Sequence, residues 1–165
     1  MYQSGAYVVY GIQGVCRVVG TEIQRVNKKK TEYLILEPLE KAASRFYLPT
    51  QNQAAMSKLK PVLTKDEMEM ILGSSEVRAG CWVPEENQRK QRYRDLVSGG
   101  DRLSLLQMLF CLYRYREEQL AAGRKLHLCD DNFLRDAERL LCVEVALSMG
   151  MSLDEARSYL RLQLK

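Results

Sequence analysis

Between Ala6 and Pro49 the sequence is a succession of short β-branched and aromatic runs punctuated by glycine. The runs are Tyr7 to Tyr10, Val15 to Val19, Tyr33 to Leu36 and Phe46 to Leu48, and Gly11, Gly14 and Gly20 break the first part of the series. β-Branched and aromatic side chains suit a pleated, half-buried surface, and glycine admits the tight turns between strands. Strands this short and evenly spaced predict a hairpin-built barrel or curled sheet. A unit of about 50 residues is too small for a deep catalytic cleft. Its usual job is to present a strand edge or a face to a partner.

Taken in order, the connection Gly11 to Gly14 joins the first two strands. Thr21 to Val26 alternates polar and apolar, and Asn27-Lys28-Lys29-Lys30 turns the chain. Those lysines are either a solvated hairpin tip or a phosphate contact. Thr31 to Glu37 returns as the most hydrophobic strand, residues 39–43 connect, and Ser44 to Leu48 is a strand ended by Pro49. Gln51 to Leu59 admits a short helical turn or a loop.

Near residue 60 the period of the apolar residues changes from 2 to 3.6. Thr64-Lys65-Asp66-Glu67 fits a capping box, followed by Met68, Ile71 and Leu72 at helical spacing and a stop at Gly73. Residues 74–83 form a linker holding Trp82. A helix is expected from Pro84 to Ser98, stopped by Gly99-Gly100, and a second from Arg102 to Gln119 capped by Asp101. Asp130 or Asp131 is expected to cap a third, through Met149 to Gly150. Ser152-Leu153-Asp154-Glu155 is a further capping box, opening a helix that runs to about Gln163. The fold class is therefore α+β: a small hairpin-built β-barrel or curled sheet over residues 1–60, then an all-α domain of about five helices over residues 61–165.

Composition narrows the function classes. The five cysteines, Cys16, Cys81, Cys111, Cys129 and Cys142, form no CxxC pair, so they read as buried reduced thiols rather than a zinc site or disulfide framework. The single histidine, His127, lies in no recognisable catalytic motif, and no phosphate-binding loop is present. No enzyme activity, cofactor or metal is expected. No apolar run approaches the roughly 18 residues of a membrane span. The first ten residues lack the pattern of a signal peptide, so a cytoplasmic location is expected. The net charge of +4 is compatible with a nucleic-acid partner without requiring one.

The densest charge cluster runs from Glu85 to Asp95. Glu85 precedes Arg89 by four residues and Glu86 precedes Lys90 by four, the favourable order for helical ion pairs worth about 0.2–0.5 kcal/mol each. Arg92 has Asp95 three residues on. Arg94 has no carboxylate at helical spacing, which makes it the best single candidate for a phosphate contact.

The run VVYGIQGVCRVVGTEIQ, with TEYLILEP and FYLPTQN after it, resembles the CarD/CdnL family of bacterial RNA-polymerase-binding transcription regulators. Val8-Val9-Tyr10 with Gly14, Glu32-Tyr33-Leu34, and Pro49 with Asn52 carry that family's pattern. In the second half, RYRDLVSGGD and AERLLCVEVALSMG are similar to its later segments. The resemblance implies that residues 1–60 form a Tudor-like or SH3-like β-barrel that docks on the RNA polymerase β subunit. It also implies a helical domain that touches promoter DNA, weakly and without sequence specificity, near the upstream edge of the bubble. Gln24, Arg25, Arg45 and Tyr47 lie at or beside the implied polymerase contacts. Arg89, Lys90, Arg92, Arg94 and Trp82 are the implied DNA side. The family's wedge tryptophan falls at Arg89 here, and Trp82 lies seven residues earlier: it is either a displaced wedge or a core residue. Gly11 stands where the family has proline. A monomer is expected, associated with the nucleoid through polymerase; the alternative is an adaptor that binds polymerase without touching DNA.

Overall fold

In the computed structural model, residues 2–40, 43–80, 82–99 and 101–165 are described. Cys81, Gly100 and the middle of the 39–43 connection lie outside the described residues. The chain divides into two compact units, Met1–Val62 and Leu63–Lys165.

The first unit is an antiparallel sheet of five strands: β1 (Tyr7–Tyr10), β2 (Val15–Val26), β3 (Lys29–Pro38), β4 (Phe46–Pro49) and β5 (Leu59–Pro61). Their order is β4-β3-β2-β1-β5, with α1 (Gln53–Met56) between β4 and β5 in sequence. One face carries the core, Val8, Cys16, Val18, Leu34, Leu36, Leu48 and Leu59. These positions pair directly across the strands (Val8 with Cys16, Val18 with Leu36, Leu34 with Leu48), so they share a face by pleat geometry.

Three expectations need correction here. The expected barrel is not closed: β4 and β5 lie at opposite edges of the order, and each is short and ends in proline, which has no N–H to extend a ladder. β2 does not stop at Gly20 but continues to Val26, because a bulge between Val18 and Gly20 takes up the irregularity within the strand. The turn after it is two residues, not four: Val26 pairs with Lys29, and only Asn27 and Lys28 form the loop. Both have positive φ, 51° and 65°, as a mirror-image hairpin turn requires. The segment 51–59 becomes α1, capped by the Asn52 side chain accepting the Ala55 N–H at 3.2 Å, and leads into β5.

β2 and β3 outrun their neighbours. β1 pairs with β2 over Val15 to Arg17, and β4 pairs with β3 over Tyr33 to Leu36. From Thr21 to Glu32 the hairpin therefore projects as a two-stranded ribbon.

The second unit holds α2 (Lys65–Leu72), α3 (Glu86–Gly99), α4 (Arg102–Ala121), α5 (Leu128–Met149) and α6 (Leu153–Gln163). The caps at Thr64, Asp101 and Ser152 form as their sequences predict, and Gly150 ends α5 in the left-handed conformation. α4 is apolar over most of its circumference, with Leu105, Leu106, Met108, Leu109, Phe110, Cys111, Leu112 and Tyr113 all buried, so it runs through the core.

α5 carries three buried carboxylates, each held by arginine from a different helix. Asp130 takes Arg89 of α3, and Glu144 takes Arg102 of α4 at 2.6 and 2.7 Å. Glu138 takes Arg157 and Arg161 of α6 at 3.2 and 2.9 Å, and also accepts the Tyr113 hydroxyl. Asp130 therefore does not cap α5. The helix starts two residues earlier at Leu128 with His127 in the capping position, and the Asp130 side chain turns inward.

Burial of one thiol in each unit also makes stability fall at alkaline pH. Cys16 in the sheet and Cys142 in α5 have thiols pushed up from 9.0 to about 11 by burial. Above pH 9 the unfolded chain releases protons that the native thiols retain, so the native state loses stability between about pH 9 and 11. The slope is about 1.4 kcal/mol per pH unit for each thiol. Urea midpoints taken at pH 8 and pH 10.5 check this; equal midpoints contradict it.

Candidate functional site

The sheet face opposite the core is partly exposed. Register places Glu22, Gln24 and Val26 of β2, Thr31, Tyr33 and Ile35 of β3, and Tyr47 of β4 on it. Tyr47 stands 43% exposed and meets Tyr33 edge to face, with ring centroids 6.4 Å apart. Arg45 reaches Glu37 at 3.8 Å, and Arg17 reaches the same carboxylate at 3.8 Å. Gln24 donates to Glu22 at 3.2 Å. Three of the four sequence-predicted contact residues, Gln24, Arg45 and Tyr47, thus belong to this outer face. Arg25 does not: it pairs with Lys30 on the other face. Nor do β2 and the strand at 44–48 share an edge, since β3 runs between them. What unites them is a face, with Tyr33 as a member that the sequence reading missed.

On the helical unit, α3 presents its predicted residues in three different ways. Arg89 is buried at 5% exposure. Its guanidinium makes a two-pronged pair with Asp130 at 2.9 and 3.0 Å and donates to the carbonyls of Val83 and Pro84 at 3.0 and 3.3 Å. The expectation that Arg89 faces DNA is therefore corrected: its charge is consumed inside the unit. Glu85, expected to pair with it, instead accepts the N–H groups of Asn87 and Gln88 at the start of α3.

Lys90 pairs with Glu86 at 2.8 Å as its spacing predicts, and this hydrogen bond holds Glu86 below the ordinary carboxylate range and Lys90 above the ordinary ammonium range. Arg92 and Arg94 are exposed, and neither has a carboxylate partner among the described residues; Asp95, expected to serve Arg92, accepts from Gln91 instead. Tyr93 between them is buried against Phe133, with centroids 5.5 Å apart. Its hydroxyl has no partner among the described residues, and burial raises its pKa. With Arg92 it lines a cleft of about 370 Å³ bounded by residues of the 79–83 segment and α4.

Trp82 is half-buried. The Arg89 guanidinium lies 4.5 Å over its ring, and Tyr115 stacks on it at 3.9 Å and 18°. Of the two alternatives for Trp82, its contacts are those of a side chain packed into its own unit. Among the described residues there is no cluster of side chains able to hold a metal ion, and no helix is long and apolar enough to cross a membrane.

Residues 2–60 match the family model described as the CarD-like/TRCF RID domain. The N-terminal unit is thus similar to the CarD-like family's domain over nearly its whole length. That domain is an RNA polymerase-interacting one, which supports a polymerase-binding role for the CarD-like unit. The match covers β1 through β5 almost end to end and stops before the helical unit. None of the curated proteins compared with the chain matches it.

Proposed function

We propose that this protein is a bacterial transcription regulator that docks on the β subunit of RNA polymerase. The outer sheet face of its CarD-like unit makes the contact, with Gln24, Tyr33, Arg45 and Tyr47. The helical unit then meets promoter DNA near the bubble edge through Arg92 and Arg94, and open-complex lifetime changes as a result. The match of residues 2–60 to a polymerase-interacting domain carries this reading. Exposed tyrosine beside arginine is the side-chain chemistry that dominates interface energetics. Basic side chains without carboxylate partners hold phosphates and carry no sequence information. The protein acts by binding and not by catalysis, in the cytoplasm, as a monomer gathered on the nucleoid by polymerase.

The test is transcription and open-complex lifetime with purified polymerase, with and without the full chain. A changed lifetime, together with binding to the β-subunit lobe at micromolar concentration, is expected; no binding to that lobe ends the proposal. Arg94→Glu is expected to reduce the effect on lifetime and to flatten the salt dependence by about 0.9 for each phosphate released, while polymerase affinity stays unchanged.

A second reading, an adaptor that binds polymerase without DNA contact, is favoured by the burial of Arg89 and the stacking of Trp82. Gel shifts of bubble-containing DNA with polymerase separate the two. A Trp82→Ala variant that fails to alter the shift, combined with an inert Arg94→Glu, supports the adaptor.

A further inference from the structure

The projecting hairpin ends in a concentration of positive charge that neither packing nor hairpin geometry calls for. Arg25, Lys28, Lys29 and Lys30 are all exposed and fall within six positions, and none makes an ion pair among the described residues. The two acids of the ribbon, Glu22 and Glu32, sit nearer its base. Glu22 accepts from Gln24 at 3.2 Å and Glu32 from Thr50 at 3.3 Å.

Two features of the tip oppose stability. Arg25 and Lys30 are directly opposite in the ladder, where like charges repel. Lys28 occupies a left-handed position, φ 65°, in a two-residue turn whose favoured occupant there is glycine. Unfavourable choices of charge and backbone gathered at one exposed point are the mark of a binding site.

The arrangement also selects the partner. Arg25 and Lys30 lie on one face of the ribbon, Lys29 on the other, and Lys28 at its end. A flat acidic protein surface would meet one face only. A groove of duplex DNA has phosphates on both walls, and its major groove admits a two-stranded ribbon. We propose that the tip of the β2–β3 hairpin, with Arg25, Lys28, Lys29 and Lys30, grips the phosphate backbone of duplex DNA without reading its sequence. This contact is separate from the one proposed for α3 and does not depend on polymerase.

The experiment is fluorescence anisotropy of the full chain with a labelled duplex of mixed sequence, without polymerase, over 50 to 200 mM KCl. The variant replaces Arg25, Lys28, Lys29 and Lys30 together by glutamine. Releasing four phosphates reduces the slope of log affinity against log salt by about 3.6, so the native chain weakens about 150-fold more than the variant across that range. A slope within one unit of the native value overturns the proposal. So does a variant that keeps DNA affinity and loses polymerase, which makes the tip a contact for acidic protein.

Lys28→Gly guards against a folding artefact, because it relieves the turn while removing one charge. It is expected to keep or raise the unfolding midpoint and to reduce the slope by about 0.9; an unchanged slope counts against the proposal. Arg92→Gln with Arg94→Gln leaves the difference between native and tip variant intact, which distinguishes this contact from that of α3.

Discussion

Arg89→Ala is expected to lower the thermal midpoint of the helical unit by at least about 12 °C. The substitution leaves Asp130, at 1% exposure, as an unpaired buried carboxylate. Breaking one partner of such a pair costs about 3–5 kcal/mol, and each kcal/mol is worth about 4 °C or more in a domain near this size. Two carbonyls, of Val83 and Pro84, lose a donor at the same time, and the cation over Trp82 disappears. Replacing both partners, Arg89→Met with Asp130→Leu, is expected to recover most of the stability, because two apolar side chains of similar volume need no desolvation. Calorimetry of the native protein, Arg89→Ala and the double variant checks the argument. If the double variant is as unstable as the single one, the damage comes from packing around Trp82 and not from the stranded charge.

Tyr47→Ala is expected to weaken polymerase binding by about 30-fold, the equivalent of a 2 kcal/mol hot spot. The side chain is exposed and touches Tyr33 only at its edge, so its removal costs the sheet little. Arg25→Ala is expected to leave polymerase affinity within about 2-fold, since Arg25 belongs to the opposite face. Biolayer interferometry with purified polymerase measures both. Equal weakening by the two variants would sink the assignment of docking to the outer face.

Features determined by near neighbours in sequence were readable from it. The caps at Thr64, Asp101 and Ser152 form because donor and acceptor lie three residues apart. The two-part division followed from the change of apolar period. What depended on distant partners was not readable. Arg89 looked like a surface cation because the carboxylate that captures it lies 41 residues away. One local signal was available and pointed the right way: Arg89, Tyr93 and Val97 recur at four-residue spacing and are the buried residues of α3. That stripe makes the arginine a member of the inner face. β5 carried no signal, because three residues ending in proline show no alternation; β1 makes them a strand. The open sheet was hidden for a similar reason, since strand count does not reveal which edges meet. On the candidate site, strand alternation separates Gln24 from Arg25 even in the bare sequence, yet only the register tells which of the two shares a face with Tyr47.

The long hairpin closed by Asn27 and Lys28 bears on how the CarD-like unit comes into being. Its ladder joins residues close in sequence, so it needs little loop-closure entropy and can form within about 1–10 μs. β4 adds to a template already in place. β5 pairs with β1 across about fifty residues of chain, the most remote pairing in the sheet, and so belongs to the last step. Val8 and Leu59 are sealed into the core only then. A ribosome-bound chain can therefore hold a formed hairpin while the sheet still lacks its final edge, and the unit becomes complete only once residues up to Pro61 have emerged.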